Sequence, residues 1–81
     1  MNQQLTKILQ DVFDLTAQEI NINLTKDDIA KWDSLAQMEL VISLEREFSI
    51  QLDIEDMVKM DSVLAISETL KNKGIALGSS R

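Results

Sequence analysis

A chain of 81 residues, 44% hydrophobic but only 4% aromatic, has the material for one domain with a single small, mostly aliphatic core. It contains no cysteine and no histidine, which excludes disulfides and thiolate chemistry, removes the commonest general base and metal ligand, and argues against a self-sufficient hydrolase. Eight basic residues stand against fourteen acidic ones, a net charge of −6, so nucleic acid is a poor partner and a protein with a basic docking patch a natural one.

With no proline and two glycines helix breakers are few, and the expected class is all-α. Leu5, Ile8, Leu9, Val12 and Phe13 recur at i, i+3, i+4, i+7 and i+8, the apolar stripe of an amphipathic helix over roughly residues 2–14. Residues 15–33 have another texture. Thr16-Ala17-Gln18-Glu19 has the spacing of a capping box, Ile20, Ile22 and Leu24 alternate as a short strand would, and Thr25-Lys26-Asp27-Asp28 suits a single helical turn. With no second strand to pair with, an ordered loop whose apolar residues plug the core is the preferred reading. So long a connection in a small helical domain points to function.

The second helix is expected from about Ser34 to Phe48. Leu40, Val41, Leu44 and Phe48 make a sufficient core stripe, while Leu35, Met38 and Ile42 form a second apolar group turned by roughly 120°. Glu39 and Arg46 flank that second group on one side and Glu45 on the other. Either another helix covers it or it is exposed for a partner, with Met38 supplying an adaptable contact. Beyond it, Ile50 and Leu52 point inward from a connection, and Ile54 to Met60 suit a short helix with Asp53 as N-cap and Asp56 at N3. Asp61 or Ser62 then caps a last helix carrying Val63, Ile66 and Leu70, which ends near Gly74 with Lys71 and Lys73 in its final turn.

The expected architecture is a small four-helix bundle, three main helices and one short one, with a long loop between the first two. The domain is expected over residues 1–76, with a flexible tail at 77–81. No apolar run approaches the ~20 residues of a membrane span and no signal peptide precedes the first helix. The chain reads as a cytoplasmic monomer without membrane insertion.

The junction Trp32-Asp33-Ser34-Leu35 is where the chain's chemistry concentrates. Ser34-Leu35-Ala36-Gln37 matches a capping box, so Ser34 can be a structural cap. Asp33 is an equally good N-cap, and then Ser34 becomes the first helical residue with its hydroxyl free. Trp32, the only tryptophan, is placed to anchor the loop end. A helix start favours a negatively charged group, because free N–H donors and the positive end of the dipole meet there. Nothing nearby would activate Ser34 as a nucleophile, which favours a serine modified by another enzyme over one that performs catalysis.

Asp33-Ser34-Leu35, followed by Glu39-Leu40 and Leu44-Glu45-Arg46-Glu47-Phe48, resembles the prosthetic-group helix of acyl carrier proteins, and the resemblance extends over most of the chain. It is similar to stand-alone carriers with a Trp-Asp-Ser-Leu motif. The resemblance implies a phosphopantetheinyl transferase that moves 4′-phosphopantetheine from coenzyme A onto Ser34, with Asp33 and Leu35 beside it. It also implies acyl-loading, acyl-transfer and synthase enzymes that dock on Leu35, Met38, Glu39, Ile42 and Glu45. The carrier itself catalyses nothing and holds no metal. Lys31-Trp32 stands where fatty-acid-synthesis carriers have a small pair, and Gln37 and Arg46 make the second helix less acidic than theirs. These departures favour a specialised lipid or polyketide-type pathway.

Two rivals remain at this level. An aminoacyl or peptidyl carrier would share the arm and differ only in its cargo. An unmodified acidic interaction module would leave Ser34 as a cap. A calcium-binding protein is disfavoured because the clusters Asp27-Asp28 and Asp53-Glu55-Asp56 lack the loop spacing of a calcium site.

Overall fold

Short polar side chains decide where each helix starts. In the computed structural model, which describes residues 2–75, Asn2 accepts the Leu5 N–H at 3.0 Å and opens α1 (Gln3–Phe13). Asp33 accepts from Ala36 at 2.9 Å and opens α2 (Ser34–Phe48). Asp53 and Asp56 exchange backbone N–H bonds in a capping box at the start of α3 (Ile54–Lys59), and Ser62 caps α4 (Val63–Asn72) by accepting from Ala65. Each cap satisfies a donor that the first helical turn leaves without a partner. Three main helices and one short one form the expected all-α bundle, with no named strand among the described residues. The tail expected at 77–81 lies outside the described residues.

Burial follows the periodicity. Leu5, Ile8, Leu9 and Phe13 of α1 meet Leu40, Val41 and Leu44 of α2, and Met60, Val63, Ile66 and Leu70 close the core from the C-terminal half. Phe48, Ile50 and Val12 pack at its edge, while Leu52 is buried. Helices α1 and α2 end in residues with left-handed backbone, Asp14 at φ 57° and Ser49 at φ 54°, in each case returning an N–H to a carbonyl of the last turn.

The segment between α1 and α2 is an ordered loop with two 3-10 turns, Ala17–Glu19 and Lys26–Asp28. Thr16 and Glu19 form the capping box their spacing suggests. Ile20 and Leu24 pack on the core as expected, but Ile22 is exposed. The loop is pinned far along the chain: the Lys26 N–H donates to the Asp61 carbonyl and the Val63 N–H to that of Leu24, both at 2.9 Å. This single bridge, Thr25 to Ser62, ties the loop to the α3–α4 junction.

One ion pair joins α3 to the end of α4, with Lys73 Nζ 3.0 Å from Asp56 Oδ2. The Lys73 ammonium and the Asp53 backbone hold the Asp56 carboxyl below its ordinary value of 3.8, and the Asp56 carboxylate raises Lys73 above its ordinary 10.5. The depressed carboxyl contributes stability that is complete above its unfolded value and is lost as pH falls through the lower folded one. Acid titration of the thermal midpoint should therefore show a fall below about pH 4 that is shallower in Asp56→Asn. Identical acid limbs in the two proteins would remove this role for the pair.

Candidate functional site

With Asp33 as the N-cap, Ser34 is the first residue of α2. The alternative cap, Ser34 itself, is not used: its residue is exposed, and its hydroxyl makes no hydrogen bond among the described residues. The Ala36 N–H goes to Asp33 Oδ1 and the Gln37 N–H to the Asp33 carbonyl at 2.9 Å. The N–H groups of Ser34 and Leu35 have no acceptor among the described residues, so two donors and the positive end of a 15-residue helix lie beside a free hydroxyl. Replacing Asp33 with Ala should cost about 1 kcal/mol, read by urea denaturation; a cost as small as that of Ser34→Ala would mean Asp33 is not the working cap.

Trp32 fixes the loop end against this junction. Its side chain is 7% exposed, and its ring lies 4.4 Å from that of Phe13 at a 31° tilt, a favourable aromatic pairing. The indole Nε1–H donates to Gln37 Oε1. Because the indole can only donate, that bond fixes which way the Gln37 amide points. Gln37 Nε2 then donates to the carbonyls of Met57 at 3.0 Å and Met60 at 3.2 Å. Sequence reasoning missed this role, because a glutamine on a helix carries no signal of which distant carbonyls it will reach.

Among the described residues no other helix covers the second apolar group of α2. Leu35, Met38 and Ile42 are 71%, 52% and 48% exposed, and Glu39 is exposed beside them. Ile54 and Val58 of α3 add exposed apolar surface that the sequence reading did not single out; their i, i+4 spacing on one face was the available signal. Glu45 sits differently from its neighbours. It is half-buried, and its carboxylate accepts the Leu52 N–H at 2.8 Å, so it closes the α2–α3 connection. An open groove of about 670 Å³ runs from Ser34 between α2 and α3, with Met38, Ile54, Met57 and Val58 along it and Lys26 and Asp27 at its polar rim.

Among the described residues no helix is long and apolar enough to cross a membrane. The family model described as "Phosphopantetheine attachment site" matches residues 3–70. An acyl carrier protein of Nitratidesulfovibrio vulgaris is 29% identical over 73 residues, covering 90% of this chain and 96% of its own length. Another, from Buchnera aphidicola subsp. Schizaphis graminum, is 27% identical over 73 residues, covering 90% of this chain and 92% of its own.

Proposed function

Because this chain belongs to the phosphopantetheine-attachment family of acyl carrier proteins, we propose that Ser34 is the residue that receives its covalent 4′-phosphopantetheine. The observation that carries this reading is the free, exposed hydroxyl at the first position of α2, which Asp33 makes possible by taking the cap. The residues fit the group: the unpaired Ser34 and Leu35 N–H groups suit a phosphodiester, Lys26 adds a cation at the groove rim, and the groove gives room for an arm. When bound, the group supplies a thiol that holds an acyl chain as a thioester.

Attachment joins Ser34 Oγ to the phosphorus of coenzyme A, breaks the pyrophosphate bond and releases adenosine 3′,5′-bisphosphate. The hydroxyl proton needs a base, and this chain offers none in place: it has no histidine, and Asp33 is engaged with Ala36. The base therefore belongs to a phosphopantetheinyl transferase, and the chain is its substrate, an acyl carrier in the cytoplasm and not an enzyme. Leu35, Met38, Glu39 and Ile42 are the contacts for that transferase and for the acyl-loading and acyl-transfer enzymes. The specialised, lipid or polyketide-type pathway is favoured by Lys31-Trp32, which stands where fatty-acid-synthesis carriers have a small pair, and by Gln37 and Arg46, which make α2 less acidic than theirs.

Incubation with coenzyme A and a broad-specificity phosphopantetheinyl transferase should add the mass of one phosphopantetheine. No gain on a folded protein would overturn the attachment reading. For the docking face, Met38→Asp should lower the transferase's kcat/KM about tenfold or more, as loss of a buried interface contact does, without changing the thermal midpoint by more than a few degrees. An unchanged kcat/KM would remove Met38 from the contact.

A further inference from the structure

Gln37 lies one turn into α2 from Ser34 and ties three elements together, which attachment of a group to Ser34 does not by itself require. Its Oε1 accepts from Trp32 in the loop, and its Nε2 donates to Met57 and Met60 at the end of α3. The Met60 carbonyl lies just past the end of α3, where acceptors lack intrahelical partners, while the Met57 carbonyl also accepts the Met60 N–H at 3.3 Å. All of the amide's bonds thus span the space between the loop, α2 and α3. Directly behind it the bundle is filled: Trp32 stacks on Phe13, and Phe13, Leu40, Met60 and Ile66 are at most 1% exposed.

We propose that the Trp32–Gln37 clamp determines cargo class, shutting the bundle interior at the foot of Ser34 so that the carried group stays in the open α2–α3 groove. The inference rests on Ser34 being the attachment residue. An alkyl chain entering between α2 and α3 would have to displace the Gln37 amide and leave the indole N–H and the Met60 carbonyl unpaired against hydrocarbon, with the Met57 carbonyl keeping only the Met60 N–H, a costly exchange for half-buried polar groups. A short or polar acyl group, hydroxylated or aminated, does not need that passage. It rests on Met38, Ile54 and Val58 and keeps its polar atoms in water at the rim formed by Lys26, Asp27 and Asp61. The carrier is therefore selective for short or polar acyl groups over long alkyl chains.

The test loads the full chain with amide-linked, non-hydrolysable pantetheine analogues bearing acetyl, butanoyl, hexanoyl and octanoyl groups. Wild type, Gln37→Leu and Trp32→Phe are compared by intact mass, thermal midpoint and methyl chemical shifts. A fully buried methylene would raise the midpoint by roughly 3–6 °C in a domain of this size. The wild-type midpoint is expected to stay level across the series, with shifts confined to groove methyls such as Met38 and Met57. In Gln37→Leu the midpoint climbs with chain length, and shifts spread to Leu40 and Ile66. Trp32→Phe, which keeps an aromatic ring against Phe13 and removes the N–H, climbs in the same sense and decides the question if Gln37→Leu does not fold. A wild-type midpoint that climbs with every added pair of carbons overturns the proposal, as does a level response in every folded variant. Absence of any mass gain overturns the attachment reading instead, so the two failures are distinguishable.

Discussion

Ser34→Ala is expected to take up no phosphopantetheine at all while folding as the wild type does. On the proposed attachment the mass gain requires a bond to Ser34 Oγ, and alanine has no atom to form it, so the expected loss is complete. The stability side is the more discriminating half of the experiment. Were Ser34 the N-cap of α2, its loss would cost about 1 kcal/mol. The cap is Asp33, which accepts from Ala36 at 2.9 Å, and Ser34 is exposed. An exposed substitution away from a cap or a buried contact usually stays within about 0.5 kcal/mol. Urea denaturation and intact mass, measured on the same preparations, separate the cases. Retained modification of the alanine variant would place attachment elsewhere. A loss of about 1 kcal/mol would return Ser34 to capping and shift the free hydroxyl argument.

The helices were legible because their signals are local. The apolar stripe Leu5, Ile8, Leu9, Val12 and Phe13 needs only the helical period, and Asp33, Asp53 and Ser62 advertise starts that the structure uses as caps. The surplus stripe Leu35, Met38 and Ile42 was legible too, but its fate was not: burial depends on whether a third helix arrives, and the wheel of one helix does not contain that information. The structure leaves it exposed. Residues 15–33 were readable turn by turn, as Thr16-Glu19 and Thr25-Asp28 show, yet Ile22 alternates with Ile20 and Leu24 in sequence and faces solvent. Alternation predicts a side only when a regular strand fixes the backbone, and here two 3-10 turns and a bridge to Ser62 set it instead. The contacts that Gln37 and Glu45 make within the fold were not legible for one reason. Both are long polar residues on α2 whose partners, Met57, Met60 and Leu52, lie up to 23 residues away.

Trp32→Ala should be the most destabilising single change near the site. Removing a buried aromatic costs about 3–5 kcal/mol when the surroundings relax only partly. A domain of this length holds in total roughly 4–12 kcal/mol, so the variant would sit close to its unfolding threshold. Three effects combine: the lost ring leaves Phe13 without its partner at 4.4 Å, Gln37 Oε1 loses its donor, and the loop end next to Asp33 loses its anchor. Trp32→Phe isolates the first from the second, since it keeps most of the ring contact and removes only the indole N–H. Its cost should be about 1–3 kcal/mol, that of a partly buried acceptor left unpaired. Urea denaturation should therefore rank wild type, Trp32→Phe and Trp32→Ala in falling order. Modification of Ser34 should fall in the same order when all three are read at one temperature close to the wild-type unfolding midpoint, because the hydroxyl is presented by a junction that Trp32 holds. If Trp32→Ala cost less than about 1 kcal/mol, the tryptophan would not be an anchor, and the rigidity of the Ser34 junction would have to come from the Asp33 cap and the Thr25–Ser62 bridge alone.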